Sequence, residues 1–290
     1  MTFRCGVRWS VIGALLWSML GIVPLIHAQE PVDWETLLID YGKETTQVGA
    51  VPDELPEPDW VIGDRRVFYV IATDKAETLT VDAELIWLGE NFAVWLDSDV
   101  RRPVSDSIRA GFADFDLRVI DLMRSIFGSE ASPGVDNDPR LHALFTDKLA
   151  LGVLGYFSSR DTVSPNVSPF SNGMELFMLN DVLLTASGER VVNTLSHEFQ
   201  HMIHYNQDGN EGSNFDEGFS GVAEELTGKR FSDGTETAFY RQPDTPLSWW
   251  KVSPSVLASY GASYFFTKYV ADQMGLGFLK PWGEAQANQF

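Results

Sequence analysis

Three of the five histidines in this 290-residue chain lie close together, at His197, His201 and His204. Residues four apart on an α-helix stand one turn apart on the same face, so the imidazoles of His197 and His201 can bind one zinc ion. Glu198 follows the first of these histidines and is angled away from the ion. It is therefore placed to act as a general base toward a water molecule. The spacing predicts zinc-assisted hydrolysis.

A zinc site of this kind needs a third protein ligand and one open position. We expect the third ligand to come from a second helix, predicted over residues 215–226. Glu217 in its first turn is the preferred candidate. Glu224, seven residues further along the same face, and His204 are the alternatives. A ligand set that used His204 would place three ligands on one straight helix, which would strain a tetrahedral site.

The elements that must position these side chains can be read from the hydrophobic periodicity. Apolar residues at three- and four-residue steps predict a helix over residues 189–205 that carries the histidines. Ser213 or Asn214 is the expected cap of the second helix, and residues 158–173 are predicted to form a long surface loop. The other predicted helices cover residues 103–127, capped by Ser105, and 259–274; the predicted strands cover residues 67–71, 79–88, 92–96, 141–145 and 175–179.

The N-terminus has the layout of a secretory signal peptide. Arg4 and Arg8 precede an apolar stretch, and cleavage is expected near Ala28. Removal of residues 1–28 would also remove Cys5, the only cysteine, so the exported chain would contain no disulfide. We expect a secreted or extracytoplasmic protein with no stable membrane span after the signal is removed.

The remaining chain is predicted to have two parts. Residues 29–100 form an acidic leader, with a short helix at 34–41, followed by a small antiparallel β-meander, and this part is a candidate propeptide-like region. Residues 101–290 alternate helix and strand, which indicates an α+β catalytic domain. The net charge of −20 disfavours nucleic-acid partners, and 44% hydrophobic residues are enough for a full core.

The string His197-Glu198-Phe199-Gln200-His201, followed by Asp216-Glu217-Gly218-Phe219 and by Glu224, resembles the gluzincin zinc peptidases. Within that group it is similar to secreted neutral metalloproteases of the hyicolysin type. The resemblance covers about residues 140–275 and includes Gly155-Tyr156-Phe157 and Tyr260-Gly261-Ala262.

This resemblance implies a zincin-like domain with an active-site helix and a mixed sheet. It implies that His197, His201 and Glu217 bind zinc, that Glu198 is the general base, and that Glu224 contacts a ligand histidine. It further implies that Tyr260 stabilises the oxyanion and that Glu175 lies on the strand that borders the substrate cleft. The catalytic domain would stop short of the C-terminal helical part that such peptidases usually have.

We therefore expect a secreted zinc endopeptidase that acts on proteins or peptides, and the oligomeric state is left open. A zinc aminopeptidase is one alternative, although Asn172-Gly173-Met174-Glu175-Leu176 matches the amine-binding Gly-x-Met-Glu-Asn string only in part. The other alternative is an exported zinc-binding or adhesive protein whose protease domain is inactive.

Overall fold

The computed structural model describes residues 58–75, 77–209, 211–228, 234–248 and 256–285. In this part of the chain, six strands form one mixed sheet in the order β1-β2-β3-β4-β6-β5. The first three strands are antiparallel, β3, β4 and β6 run parallel, and β5 returns antiparallel to β6. The strands are β1 (Arg65–Ala72), β2 (Glu77–Leu88), β3 (Phe92–Asp97), β4 (Leu141–Thr146), β5 (Gly155–Phe157) and β6 (Leu176–Asn180).

The described helices pack on one face of this sheet and on each other. Alternate side chains of the strands point to this face, where Phe92 and Phe177 pack against Phe115 and Phe199 of the helices. The helices are α1 (Asp106–Asp114), a π-helical turn (Phe115–Val119), α2 (Ile120–Phe127), α3 (Gly188–Gln207), α4 (Ser213–Thr227), α5 (Thr235–Arg241), α6 (Val256–Met274) and α7 (Leu279–Gly283).

The opposite face of the sheet encloses a second apolar core because the sheet is curled. The backbone N–H and C=O of Tyr69 in β1 bond to the side-chain amide of Asn172, each at 2.8 Å. The N–H of Ile71 donates to the hydroxyl of Tyr156 in β5 at 2.8 Å. Residues from the two ends of the sheet therefore meet, and Phe68 and Trp95 are fully buried between them.

Several predicted elements differ from the structure. The helix predicted from Pro103 begins at Asp106, after Ser105 as its cap, and a π-helical turn interrupts it. Neither predicted cap is used in α4, which begins after Gly212. The short strand β5 and the helix α5 were not predicted. The segment 158–173 is not a simple surface loop, since Asp161 and Asn172 are buried where they hold β1.

The predicted boundary at residue 100 does not divide the sheet. The strands β1–β3 of the expected β-meander belong to the same six-stranded sheet as β4–β6. Residues 1–28, with the expected signal peptide, and the expected helix at 34–41 lie outside the described residues. Within the described part, none of the helices combines the length and the apolar composition that spanning a membrane requires.

Asn172→Ala should lower the free energy of unfolding by about 3 kcal/mol, because it removes three hydrogen bonds worth roughly 1 kcal/mol each, two to the backbone of Tyr69 and one to Asp161. Urea unfolding followed by tryptophan fluorescence measures this change. The control is Asn166→Ala at an exposed position of the same segment, which should cost less than about 0.5 kcal/mol. Equal effects in the two variants would contradict the account of sheet closure.

Candidate metal centre

Helix α3 carries the two spaced histidines through the middle of the molecule. The Ser187 side chain accepts a hydrogen bond from the Arg190 N–H at 3.3 Å and closes the first turn. Leu195 and Phe199 face the apolar core. Helices α1 and α4 and strand β5 pack around α3, so it is buried from Arg190 to His204. Such a helix holds its polar side chains in fixed positions.

Helix α4 crosses α6 at very short range, and this contact positions Glu217. A Cβ atom at Gly218 would lie 2.2 Å from the Thr267 hydroxyl and 2.8 Å from the Ser263 carbonyl oxygen. Only glycine permits this approach, because any side chain would collide with the backbone of α6. The residue after Glu217 is therefore set by helix packing.

One atom from each of His197, His201 and Glu217 converges on a single point. Glu217 Oε2 lies 3.3 Å from His197 Nε2 and 3.8 Å from His201 Nε2. Such ligand atoms lie within 4.8 Å of one another, and all three residues are buried. Ligand atoms of a tetrahedral zinc ion lie about 3.4 Å apart. The structure thus brings Glu217, rather than Glu224 or His204, to the Nε2 atoms of both imidazoles.

The other ring nitrogen of each histidine faces a carboxylate. Glu224 Oε1 lies 2.6 Å from His197 Nδ1, and Asp216 Oδ1 lies 2.9 Å from His201 Nδ1. An Nδ1–H donated to a carboxylate fixes the tautomer and leaves Nε2 free for a metal ion. Both carboxylates come from α4, so the same helix supplies Glu217 and both of these histidine contacts.

The charges around this site favour a bound cation. Burial lowers the pKa of His197, but contacts with Glu217 and Glu224 outweigh it and raise that pKa well above the usual value. Burial also lowers the pKa of His201, but the negative charges of Asp216 and Glu217 outweigh this effect. The pKa of His201 is therefore raised as well. His197 Nε2 and Glu217 Oε2 are buried without a hydrogen bond of good geometry. These residues fit a metal ion.

Glu198 lies beside this group and is completely buried. Burial raises the pKa of its carboxyl group to about 7, although His197 and His201 oppose the shift. A Cβ atom at Gly155 of β5 would lie 3.1 Å from Glu198 Oε1, so the edge strand passes directly by this carboxylate. The backbone N–H of Phe157 in β5 also lowers this pKa, and neither carboxylate oxygen has any other hydrogen-bond partner among the described residues.

The structure places Glu175 directly before β6, outside the group of residues that converge on this centre. Strand β6 lies between β4 and β5 and is an interior strand, while β5 is an edge of the sheet. Glu175 is 2% exposed and lies against Gly134. Its expected role beside a substrate cleft stays a prediction.

Two further residues from the sequence analysis have different positions. Tyr260 is an almost buried residue of α6, which packs on α4, and its role toward an oxyanion stays a prediction. His204 Nδ1 lies 3.3 Å from Asp216 Oδ1, and its ring packs on Phe219. Asp216 therefore contacts two histidines, and the sequence analysis did not assign it a role. Its position directly before Glu217 was the available signal.

Comparison with known proteins gives one distant relative. No protein-family model matches the chain. The chain is 24% identical over 241 residues to the neutral metalloprotease ShpI of Staphylococcus hyicus, and the match covers 74% of the chain and 53% of the relative. The chain thus spans about half the length of the curated relative it matches. Together with the buried His-His-Glu group, this similarity supports a metallopeptidase, a hydrolase that binds a metal ion.

Glu224→Gln should weaken metal binding by about 10–100-fold, because an amide holds the His197 ring less firmly than a carboxylate. Competition with a chelating dye of known zinc affinity measures the change. Glu225→Gln, at the next position of the same helix, is the control; Glu225 contacts Tyr264 instead of a ligand histidine. If both variants bound zinc like the parent, Glu224 would not orient His197.

Proposed function

We propose that this protein is a secreted zinc endopeptidase of the gluzincin type, in which His197, His201 and Glu217 hold the zinc ion and Glu198 is the general base. The observation that carries the proposal is the position of Glu198. Its fully buried carboxylate lies next to three convergent ligand atoms and next to the edge strand β5. A metal site with only a structural role has no need of such a group.

When bound, zinc would supply Lewis-acid chemistry, polarising the scissile carbonyl and lowering the pKa of water to about 7. The Glu198 carboxylate would accept a proton from the attacking water and transfer it to the nitrogen of the leaving amine. Glu224 and Asp216 would keep both imidazoles oriented during this transfer. Tyr260 is retained as a proposed oxyanion donor.

Strand β5 is the proposed place for the substrate backbone. It is the edge of the sheet and passes Glu198 at Gly155. An extended peptide that added to this edge would run along the metal centre, in the way that peptides commonly bind to sheet edges. The endopeptidase is favoured over the aminopeptidase because residues 172–176 match the amine-binding string only in part.

One observation favours the alternative of a zinc-binding protein with an inactive protease domain. His197 and His201 are 1% exposed and Glu198 is fully buried, so a peptide can reach the centre only after local opening. Activity toward a substrate therefore separates the two functions. The proposed signal peptide at residues 1–28 and the protein or peptide substrates belong to the same proposal.

Glu198→Gln should retain about one zinc per chain and lose roughly 10²–10⁴-fold in kcat, because the amide cannot accept the proton. Zinc content by native mass spectrometry and hydrolysis of a quenched fluorescent peptide measure the two quantities. Glu189→Gln, at an exposed position of the same helix, should resemble the parent.

The test peptide carries a blocked amine, which an aminopeptidase would not hydrolyse. If the zinc-loaded parent failed to cleave it but cleaved the free-amine form, the aminopeptidase alternative would replace the endopeptidase. A parent that binds zinc and cleaves neither peptide would support the inactive-domain alternative.

A further inference from the structure

Glu175 holds a buried carboxyl group that the metal centre does not use. Its backbone carbonyl accepts a hydrogen bond from the His142 N–H at 2.8 Å, which ties it to the sheet. Its side chain is 2% exposed, and among the described residues neither Oε1 nor Oε2 has a hydrogen-bond partner. An unpaired carboxylate in such a place is costly, so its surroundings must supply a proton or a cation.

The loop between α2 and β4 lies directly on this carboxyl group. Gly134 has a φ of 79°, and a Cβ atom there would lie 1.7 Å from Glu175 Oε2. A side chain at this position would be strained by the positive φ and would displace the Glu175 carboxyl group. Two residues later, Asp136 Oδ1 accepts the N–H of Asp138 at 3.1 Å, while Asp136 Oδ2 is buried without a partner. Three carboxylate oxygens in this region thus lack partners.

The other acidic residues nearby are already paired. Asp138 accepts hydrogen bonds from the Trp60 indole at 2.9 Å and from Arg140, from its backbone at 3.0 Å and its side chain at 2.9 Å. Glu130 forms an ion pair with Arg124. These contacts shape the loop and leave only Glu175 and Asp136 with free oxygens.

Electrostatics make this group unfavourable without a counter-charge. Burial raises the pKa of Glu175 to about 8, and the charges of Asp136, Glu130 and Asp138 act in the same direction. Burial also raises the pKa of Asp136, although the charge of His142 opposes the shift. The positive charge of Arg66 in β1 also attracts the negative charge of Asp136. Either a proton on Glu175 or a bound cation can balance the remaining charge.

We propose that Glu175 and Asp136 form a calcium site together with backbone carbonyls of the loop at residues 132–139, separate from the histidine-containing centre. Calcium takes six to eight oxygen ligands, including bidentate carboxylates and loop carbonyls, and it tolerates irregular geometry. The unpaired carboxylate oxygens of the site suit calcium better than zinc, although the buried Nε2 of His142 also lies nearby, 3.4 Å from Asp138 Oδ2. Asp136 is partly exposed and gives an ion a route from solvent.

Thermal unfolding of the purified protein tests this site, with zinc held constant and calcium removed from the buffers by a chelating resin. At pH 8, addition of 1 mM CaCl₂ should raise the Tm of the parent by about 5 °C. Glu175→Gln and Asp136→Asn should each lose this response. Glu90→Gln, which removes an exposed acidic charge, should respond like the parent.

The pH dependence of the stability distinguishes a cation bound at Glu175 from a proton on its carboxyl group. A raised pKa means that the folded state holds a proton that the unfolded state has lost. Glu175 should therefore make the calcium-free parent less stable as the pH rises from about 4.5 to about 8, and Glu175→Gln should remove this contribution. Calcium must displace this proton, so the calcium-induced increase in Tm should be smaller at pH 6 than at pH 8.

Terbium luminescence gives a second measurement that does not depend on stability. Trp60 contacts Asp138 in the same loop, so a bound Tb³⁺ ion should show tryptophan-sensitised emission that Ca²⁺ abolishes. The proposal is overturned if calcium leaves the Tm of the parent unchanged, or if Glu175→Gln keeps both the calcium response and the terbium emission. In that case Glu175 is a buried, protonated carboxyl group.

Discussion

The contacts between the carboxylates of α4 and the imidazoles of α3 are the interaction on which the rest of the structure depends. Glu224 faces His197 Nδ1 and Asp216 faces His201 Nδ1, while Glu217, between them in sequence, faces both Nε2 atoms. Fully buried imidazoles and carboxylates are costly unless they pair with one another or with an ion. The relative position of α3 and α4 is therefore fixed, because the carboxylates of α4 pair with the imidazoles of α3.

The fold can be understood as the support for this helix pair. The sheet packs on α3 through Phe177 and Phe199, and Gly218 lets α6 approach α4 closely enough to fix Glu217. On the other face, the curl of the sheet is closed by Asn172 and Tyr156, which bond to the backbone of β1. The strand order makes β5 an edge strand, and it passes Glu198 at Gly155. The first three strands are thus part of the sheet that supports the site.

The sequence predicted the local features well, because they depend on local periodicity. The spacing of His197 and His201 correctly placed the two imidazoles on one face of a helix, and the apolar runs predicted most strands within two residues. The errors concern tertiary pairing. The order of β6 and β5 depends on contacts between distant segments, which is why periodicity did not show that the strand after Glu175 is an interior one. The role of Asp216 was missed because it depends on the angle at which two helices cross.

The most direct test of the account is zinc K-edge X-ray absorption on the purified protein after it has been loaded with one equivalent of zinc. The account predicts a spectrum with scattering from two imidazole rings and otherwise only oxygen ligands, since His197, His201 and Glu217 converge on one point. A spectrum with a third imidazole would place His204 in the ligand set. Failure to retain zinc would contradict the account of this centre altogether.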